Sequence, residues 1–210
     1  MKPKERMAIP RQKPEELDPA ERIKDFKEVT LGYDEETAIR EANRCLQCKK
    51  PTCIEGCPIK NDIPAFIELL RNRKFEEGYW KVRDTSTMPA VCSRICPHEF
   101  QCEGSCVRGK KGDPVAIGML ERYLADWMVL NGKNLFKPCK MPKGKKVAIV
   151  GSGPAGISVA YYLAHEGYHC TIFESLPVFG GMLSVGIPHY RLPRDIIGAE
   201  LYSLKNCGVE

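Results

Sequence analysis

Residues 45–58 form the stretch Cys-Leu-Gln-Cys-Lys-Lys-Pro-Thr-Cys-Ile-Glu-Gly-Cys-Pro. It places four thiols within thirteen residues and a proline directly after them: Cys45, Cys48, Cys53 and Cys57, then Pro58. Thiolates are soft ligands, and four of them suit either a zinc ion or an iron–sulfur cluster. The stretch therefore predicts a metal centre in the first half of the chain.

A second cysteine segment follows at residues 92–106, with Cys92, Cys96-Pro97, Cys102 and Cys106. Structural zinc usually binds two close pairs of cysteines that are separated by a longer stretch. Crowded thiols with a proline after the fourth are instead typical of the bacterial pattern C-x2-C-x2-C-x3-C-P, whose fourth cysteine reaches the other cluster. The spacing favours iron–sulfur clusters over zinc, with disulfides a distant third.

The composition indicates a folded protein without a nucleic-acid or membrane signature. The 210 residues are 43% hydrophobic and carry a formal net charge of +5. The charged, proline-broken N-terminus is unlike a signal peptide, and no apolar run of about 18 residues exists. We therefore expect a cytoplasmic protein, in which clustered cysteines indicate metal. Of the three cysteines that stand alone, Cys170 lies in a predicted strand and is expected to be an inert hydrophobe: Cys139, Cys170 and Cys207.

The hydrophobic pattern divides the chain into four parts. These are an N-terminal arm (1–33), a helical domain with both cysteine segments (34–132), a linker (133–145) and a partial nucleotide-binding domain (146–210). In the helical domain we expect helices from Asp34 towards Cys45, from Asn61, over 75–82, and from Asp113-Pro114 to about residue 130.

The residues after the linker have the pattern of a β-α-β unit. Residues 147–150 and 170–173 are predicted strands, and residues 154–166 a predicted helix between them, which makes the strands parallel. A doubly wound sheet needs further strands. We therefore expect the chain to be a fragment of a longer protein, in preference to one whose missing strands come from a partner.

The turn between the first strand and the helix matches G-x-G-x-x-G: Gly151, Ser152, Gly153, Pro154, Ala155 and Gly156. In this context the glycines make the turn, admit a pyrophosphate and allow close packing. Glu174 ends the next strand, where its carboxylate can bind ribose hydroxyls and disfavours a 2′-phosphate. The site is thus predicted to take FAD or NAD rather than NADP. Gly180-Gly181-Met182 adds bare backbone that can lie against a cofactor.

Taken together, these residues resemble the small (beta) subunit of NADPH-dependent glutamate synthase. The resemblance rests on the two cysteine segments, on residues 117–122 and on residues 147–193, and it extends from about Glu21 onward. The same module occurs in the large subunit of NADH-dependent ferredoxin:NADP oxidoreductase and at the N-terminus of dihydropyrimidine dehydrogenase. We therefore predict an α+β two-domain fold, with an α-helical iron–sulfur domain followed by the first part of a Rossmann-like FAD-binding α/β domain.

The resemblance implies two 4Fe-4S clusters. One would be held by Cys45, Cys48, Cys53 and Cys106. The other would be held by Cys57, Cys96 and Cys102, together with Glu121, which leaves Cys92 over. The open alternative is that Glu121 is a solvated helix residue and Cys92 completes the second cluster.

The motif and the resemblance together also imply a set of FAD-binding residues: Gly151, Ser152, Gly153, Pro154, Ala155, Gly156, Glu174, Gly180, Gly181, Met182 and Arg191. The family's second glycine-rich motif, which binds NADPH, lies beyond the position of Glu210. The NAD(P)H site of the intact protein is therefore expected outside this chain.

The function that the resemblance implies is an oxidoreductase subunit that relays electrons between NAD(P)H with FAD and a partner subunit, through the two clusters. That partner would be a glutamate synthase large subunit or a second flavoprotein. One rival is a non-catalytic, zinc-stabilised interaction module with a vestigial nucleotide fold. A second rival is an assembly or relay subunit that binds no nucleotide.

Overall fold

The computed structural model describes residues 1–136 and 140–210, which form two compact units. The first unit consists of Met1–Lys24 and Val29–Met128, and the second of Asp25–Glu28 and Val129–Glu210. The first is mainly helical and the second holds a partial α/β layer, which confirms the predicted fold class. Cys139 and part of the expected linker lie outside the described residues.

Helices dominate residues 1–130. The elements in chain order are α1 (Pro3–Ala8), β1 (Glu15–Glu16), α2 (Pro19–Arg22), β2 (Thr30–Gly32), α3 (Glu35–Ala42), α4 (Thr52–Gly56), α5 (Ile63–Arg71), α6 (Phe75–Arg83), α7 (Pro89–Ile95) and α8 (Ile117–Leu130). Two 3-10 turns, His98–Phe100 and Val107–Lys110, lie between α7 and α8. Helices α3, α5 and α6 confirm three of the predicted helices.

The core of the first unit is built around α5. Its cap is Asp62, whose carboxylate accepts from the Ala65 N–H at 3.4 Å. One face buries four apolar side chains at helical spacing: Ile63, Phe66, Ile67 and Leu70. Helix α6 packs closely against α8, because a Cβ on Gly78 would lie 3.2 Å from a methyl group of Leu124. This scaffold carries the two cysteine segments, which precede α5 and begin at α7.

The predicted start of the last helix at Asp113-Pro114 is wrong, because α8 begins only at Ile117. The carbonyl oxygens of Asp113 and Pro114 accept from Arg44 at 2.9 and 2.8 Å. The N–H of Ala116 donates to Glu41 at 2.8 Å. Arg44 and Glu41 are fully buried and pair at 2.5 Å, so a buried ion pair holds this segment out of the helix.

The N-terminal arm contains short elements of regular structure. Besides α2 it contains α1 and an antiparallel pairing of β1 with β2. The Tyr33 hydroxyl donates to the Gln12 carbonyl at 2.7 Å, and the Gln12 N–H donates to Glu41 at 2.8 Å. Contacts over such sequence separations fix the arm against the rest of the first unit.

The second unit contains the predicted β-α-β unit. Its elements are β3 (Lys146–Val150), α9 (Pro154–His165), β4 (His169–Phe173), α10 (Met182–Val185) and α11 (Arg194–Lys205). Strands β3 and β4 are parallel, with Lys146 opposite His169 and Val150 opposite Phe173. The strands and the helix between them confirm the sequence prediction.

The other edge of β4 carries the beginning of a further parallel pairing. The Glu210 N–H donates to Cys170 O at 2.9 Å, and the Ile172 N–H donates to Glu210 O at 2.6 Å. This alternation is that of a parallel ladder. Val150 at the end of β3 and Phe173 at the end of β4 keep 91% and 57% of their surface exposed. The sheet is thus partial, with apolar strand residues that a larger sheet would cover.

Candidate metal centres and nucleotide site

Four cysteines from the two cysteine segments line one cavity in the first unit. Cys45 follows α3, Cys48 lies in the next loop, Cys53 lies in α4, and Cys106 immediately precedes the turn Val107–Lys110. All four thiols are free. The fold therefore places a cysteine of the second segment together with three cysteines of the first. We call these four residues the first thiol group.

N–H groups of the loop donate to the sulfurs of this group. The side-chain amide of Gln47 lies 3.5 Å from the Cys45 sulfur and also donates to Pro64 O at 3.0 Å. The backbone N–H of Gln47 hydrogen bonds to Cys45, and that of Ile54 to Cys53. Gln47 achieves this with a left-handed φ of +52°. Such N–H donors are among the features that set the potential of iron–sulfur sites.

Without a metal, these thiols hold their protons tightly. Burial raises the pKa of Cys45 to about 11 and that of Cys53 to about 12, and the neighbouring Cys106 adds to both shifts. Burial also raises the pKa of Cys48. A metal takes thiolates as ligands and releases their protons, so it removes the cost of burying a lone thiolate. The donor set fits a thiolate-bound metal group.

A second set of donors surrounds Cys96, and we call it the second thiol group. The charges of Glu121, Cys102 and Cys57 act on Cys96, and those of Glu103, Glu121 and Cys57 act on Cys102. Burial raises the pKa of Cys102. A hydrogen bond with Cys92, one helical turn earlier, lowers the pKa of Cys96. The five candidate ligands Cys57, Cys92, Cys96, Cys102 and Glu121 are therefore close enough to interact with one another electrostatically.

Glu121 belongs to the interior. It lies on α8 with only 8% of its surface exposed, so the alternative that it is a solvated helix residue is wrong. Its position suits a metal ligand, and Cys92 remains the competing donor.

The described ranges contain no group of three or more His, Cys, Asp or Glu side chains arranged to hold a single metal ion. In a four-iron cluster the four thiolates bind four different irons. The ligands of a cluster therefore stand farther apart than the ligands of one ion.

The glycine-rich loop has the backbone that its motif requires. Gly151 adopts a φ of +91°, and its N–H donates to Phe173 O at 2.8 Å. A Cβ on Gly156 would lie 1.9 Å from Gly151 O, so only glycine fits there. A Cβ on Gly153 would meet nothing within 4 Å. At Gly156 the loop packs tightly against the helix, and at Gly153 it leaves space for a ligand beside the backbone.

The loop leads into the N-terminus of a twelve-residue helix. Gly153 is the N-cap of α9, and Pro154 and Ala155 form its exposed first turn. The first N–H groups of a helix have no partner within the helix, and the helix dipole favours negative charge at this end. The arrangement is suited to a phosphate.

Ser152 joins three segments of this site and is fully buried. Its hydroxyl donates to the Glu174 carboxylate at 2.5 Å and accepts from the Gly180 N–H at 3.0 Å. Its backbone N–H donates to the same Glu174 oxygen at 2.9 Å. Ser152 therefore ties the glycine-rich loop to the end of β4 and to the Gly180–Gly181 turn. Sequence reasoning placed Ser152 in the motif but missed this role.

Glu174 is held as a carboxylate. The hydrogen bond from the Ser152 hydroxyl, with those from the N–H groups of Leu176 and Ser152, lowers the pKa of Glu174 to about 2. The group is consequently charged at neutral pH, as the prediction against a 2′-phosphate requires.

The remaining predicted nucleotide residues divide into two sets. A Cβ on Gly181 would lie 3.0 Å from Gly153 Cα, so the Gly180–Gly181 turn packs directly on the loop. Met182, the first residue of α10, is 68% exposed. Arg191 is exposed in a turn, where its N–H donates to Pro188 O at 3.0 Å. The structure thus brings Gly180 and Gly181 to the glycine-rich loop, whereas Met182 and Arg191 lie at the surface.

No helix within the two described ranges has the length and apolar character needed to cross a membrane.

Comparison with protein families gives two matches. Residues 22–133 match the family described as dihydropyrimidine dehydrogenase domain II, 4Fe-4S cluster. Residues 149–192 match the NAD(P)-binding Rossmann-like domain. The first match covers both thiol groups, and the second covers the glycine-rich loop and Glu174.

Curated proteins with similar sequences are redox subunits. The chain is 43% identical over 178 residues to the NADP(+)-dependent formate dehydrogenase subunit beta of Moorella thermoacetica, covering 75% of this chain and 25% of that protein. It is 41% identical over 193 residues to the NADPH-Fe(3+) oxidoreductase subunit beta of Geobacter sulfurreducens. That match covers 90% of this chain and 28% of that protein.

A third relative is the NAD-dependent dihydropyrimidine dehydrogenase subunit PreT of Escherichia coli, 36% identical over 182 residues, covering 87% of this chain and 44% of that protein. The chain thus spans between a quarter and less than half of the length of these relatives.

Proposed function

We propose that this chain, which belongs to the family of dihydropyrimidine dehydrogenase domain II 4Fe-4S proteins, is the cluster-bearing and flavin-binding part of an NAD(P)-dependent oxidoreductase subunit. In that role it relays electrons between NAD(P)H with FAD and a partner subunit. The observation that carries the proposal is the joining of Cys106 to Cys45, Cys48 and Cys53 in one cavity.

Two clusters are proposed because the thiols fall into two groups. The first thiol group supplies four sulfurs, with N–H donors from Gln47 and Ile54. The second supplies Cys57, Cys96 and Cys102, with Glu121 as the proposed fourth ligand and Cys92 beside it. A carboxylate is a harder ligand than a thiolate, so it would set the second cluster apart in potential.

FAD is the proposed ligand of the glycine-rich loop. Open space at Gly153 and the N-terminus of α9 support a bound pyrophosphate. The charged Glu174 at the end of β4 supports binding of unmodified ribose hydroxyls. The packing of Gly181 on Gly153 supports a cofactor that lies along the turn.

The chain's own residues bind, orient and shield the proposed cofactors. When bound, the flavin exchanges electron pairs for single electrons and the clusters carry the single electrons. No general acid or base is proposed among the described residues.

A partner subunit is proposed because the relatives are named as subunits beta and PreT. A glutamate synthase large subunit and a second flavoprotein remain the proposed partner types, and a cytoplasmic location remains part of the proposal.

The proposal is tested by measuring iron, acid-labile sulfide, zinc and flavin per polypeptide in the intact protein, purified without oxygen. The expected result is about eight iron and about eight sulfide, with flavin. Cys53→Ser should lose about half of the iron, whereas Cys207→Ser, outside both thiol groups, should lose none. Zinc without sulfide would contradict the proposal and support the zinc-stabilised module. Clusters without flavin would support the subunit that binds no nucleotide.

A further inference from the structure

Arg108 is a buried cation at the edge of the first thiol group. It lies in the turn Val107–Lys110, two residues after Cys106, and only 4% of its surface is exposed. Its side chain lines the same cavity as the thiols of the first thiol group. The family resemblance assigned it no role.

Both terminal nitrogens of the Arg108 guanidinium are occupied by the N-terminal arm. Nη1 donates to Arg6 O at 2.7 Å, and Nη2 donates to Ile9 O at 2.6 Å and Met7 O at 3.2 Å. The Nε atom is also buried, but it finds no hydrogen-bond partner within residues 1–136 and 140–210. A buried guanidinium N–H without an acceptor is unusual and calls for an explanation, such as an ion or cofactor.

The arm that holds Arg108 is itself fixed from several sides. The fully buried Arg44 donates to Ile9 O at 3.2 Å. The Gln12 N–H donates to the buried carboxylate of Glu41. Arg6 reaches from the arm to the first thiol group, where it donates to Cys45 O at 2.7 Å. The orientation of Arg108 is therefore set by the arm and not by its own turn alone.

We propose that the Nε–H of Arg108 donates to a sulfur of the metal group held by the first thiol group, and that residues 6–12 of the arm are the positioning element for this donor. The inference rests on the proposed clusters. A hydrogen bond from a cation to sulfur stabilises the more negative, reduced form of a cluster, so Arg108 raises the reduction potential of one cluster.

The test compares reduction potentials in the intact protein. Each cluster is followed by electron paramagnetic resonance during an anaerobic redox titration, and its signal is assigned from its loss in Cys53→Ser or Cys96→Ser. Arg108→Gln should shift the potential of the first cluster to a more negative value and leave the second unchanged. Unchanged potentials with both clusters present would overturn the proposal, as would equal shifts of both.

The matched control is Arg83→Gln. Arg83 is an arginine of similar burial, 3% exposed, on α6, and it donates to the Thr87 carbonyl. Losing it should affect stability without changing either potential. A shift as large as that of Arg108→Gln would show that the loss of any buried arginine suffices, and would overturn the proposal.

Arg108→Lys keeps the test decisive if the glutamine variant does not fold. Lysine retains the charge but cannot bind the arm carbonyls and a sulfur at once. A smaller negative shift is expected, and a fully retained wild-type potential would overturn the role of Nε. Iron and sulfide in the wild-type protein separate the two proposals, because a protein without clusters refutes the proposed function before Arg108 is tested.

Discussion

The two units hold their candidate sites in different ways. In the first unit, buried thiols have raised pKa values and Arg108 Nε lacks an acceptor among the described residues. In the second, the Ser152 hydroxyl donates to the Glu174 carboxylate and accepts from the Gly180 N–H. The comparison indicates that a bound metal would stabilise the first thiol group, whereas hydrogen bonds within the protein hold the nucleotide loop.

The core that supports each site differs as well. The first thiol group lies in a unit whose helices bury residues such as Phe66, Leu70 and Leu124 completely. The glycine-rich loop extends from a two-stranded sheet with exposed Val150 and Phe173. The first unit is therefore well packed around its candidate site, and the second is partly uncovered around its own.

The largest expected effect is a loss of flavin affinity when the glycine-rich loop is distorted. Gly156→Ala places a Cβ 1.9 Å from Gly151 O, and the backbone cannot absorb such an overlap cheaply. We expect flavin affinity in the intact protein to fall about 100-fold or more, about 3 kcal/mol, with the iron content unchanged. Flavin fluorescence titration measures the first quantity and iron analysis the second.

Gly198→Ala is the matched control in α11, because a Cβ there meets nothing within 4 Å. It should leave flavin affinity unchanged and stabilise the helix by about 0.5–1 kcal/mol. If Gly156→Ala binds flavin with wild-type affinity, the close contact between Gly156 and the Gly151 carbonyl is refuted.

The next effect concerns the thiols of the metal-free chain. Their pKa values lie above the ordinary 9.0, at about 11 for Cys45 and about 12 for Cys53, so the folded chain binds these protons more tightly than the unfolded chain. The resulting stability is complete below pH 9.0 and is lost as the pH rises towards 12. The melting temperature of the metal-free protein should therefore fall over this range.

The protein with its metal should not show this alkaline loss, because its thiols are already deprotonated ligands. In metal-free Cys53→Ser the fall should be shallower, since one titrating group is gone. Melting curves from circular dichroism between about pH 8 and about pH 11 test both statements. A flat profile for the metal-free protein would contradict the described burial of the thiols.

The smallest effect concerns Ser152. Ser152→Ala removes the 2.5 Å bond to Glu174 and the 3.0 Å bond from Gly180. Flavin affinity should fall about 30-fold, because two bonds are lost and each contributes about 1 kcal/mol. Ser175→Ala is the control, since its exposed hydroxyl lies 3.5 Å from Glu174 and should matter little.

The acid response of Glu174 gives a second measure of the same contact. Its folded pKa of about 2 is lower than the ordinary 4.5, so its contribution to stability is present above pH 4.5 and lost as the pH falls towards 2. In Ser152→Ala the pKa of Glu174 should rise, and the protein should lose less stability as the pH falls. Carboxyl titration by nuclear magnetic resonance reads this directly, and an unshifted Glu174 would contradict the role of Ser152.

Local sequence signals predicted the parts of the fold that local interactions determine. The β-α-β unit follows from apolar runs at residues 147–150 and 170–173 around a glycine-rich turn, and the structure has both strands. The helices over α5 and α6 follow from the spacing of their apolar residues.

Long-range contacts account for what the sequence did not predict. Asp113 and Pro114 have the signature of a helix start, but Arg44, about 70 residues earlier, binds their carbonyls and delays α8. The partners of Arg108 lie about 100 residues away in the arm. The grouping of the thiols was predicted through the family resemblance, because spacing alone cannot tell which group Cys106 joins.

The central claim is that Cys106 crosses over to the first thiol group. The most direct test compares electron paramagnetic resonance spectra of the reduced, anaerobically purified Cys106→Ser, Cys53→Ser and Cys102→Ser proteins. We predict that Cys106→Ser loses the same cluster signal as Cys53→Ser and keeps the signal that Cys102→Ser loses. If Cys106→Ser instead matches Cys102→Ser, the two cysteine segments bind separate clusters and the crossover is refuted.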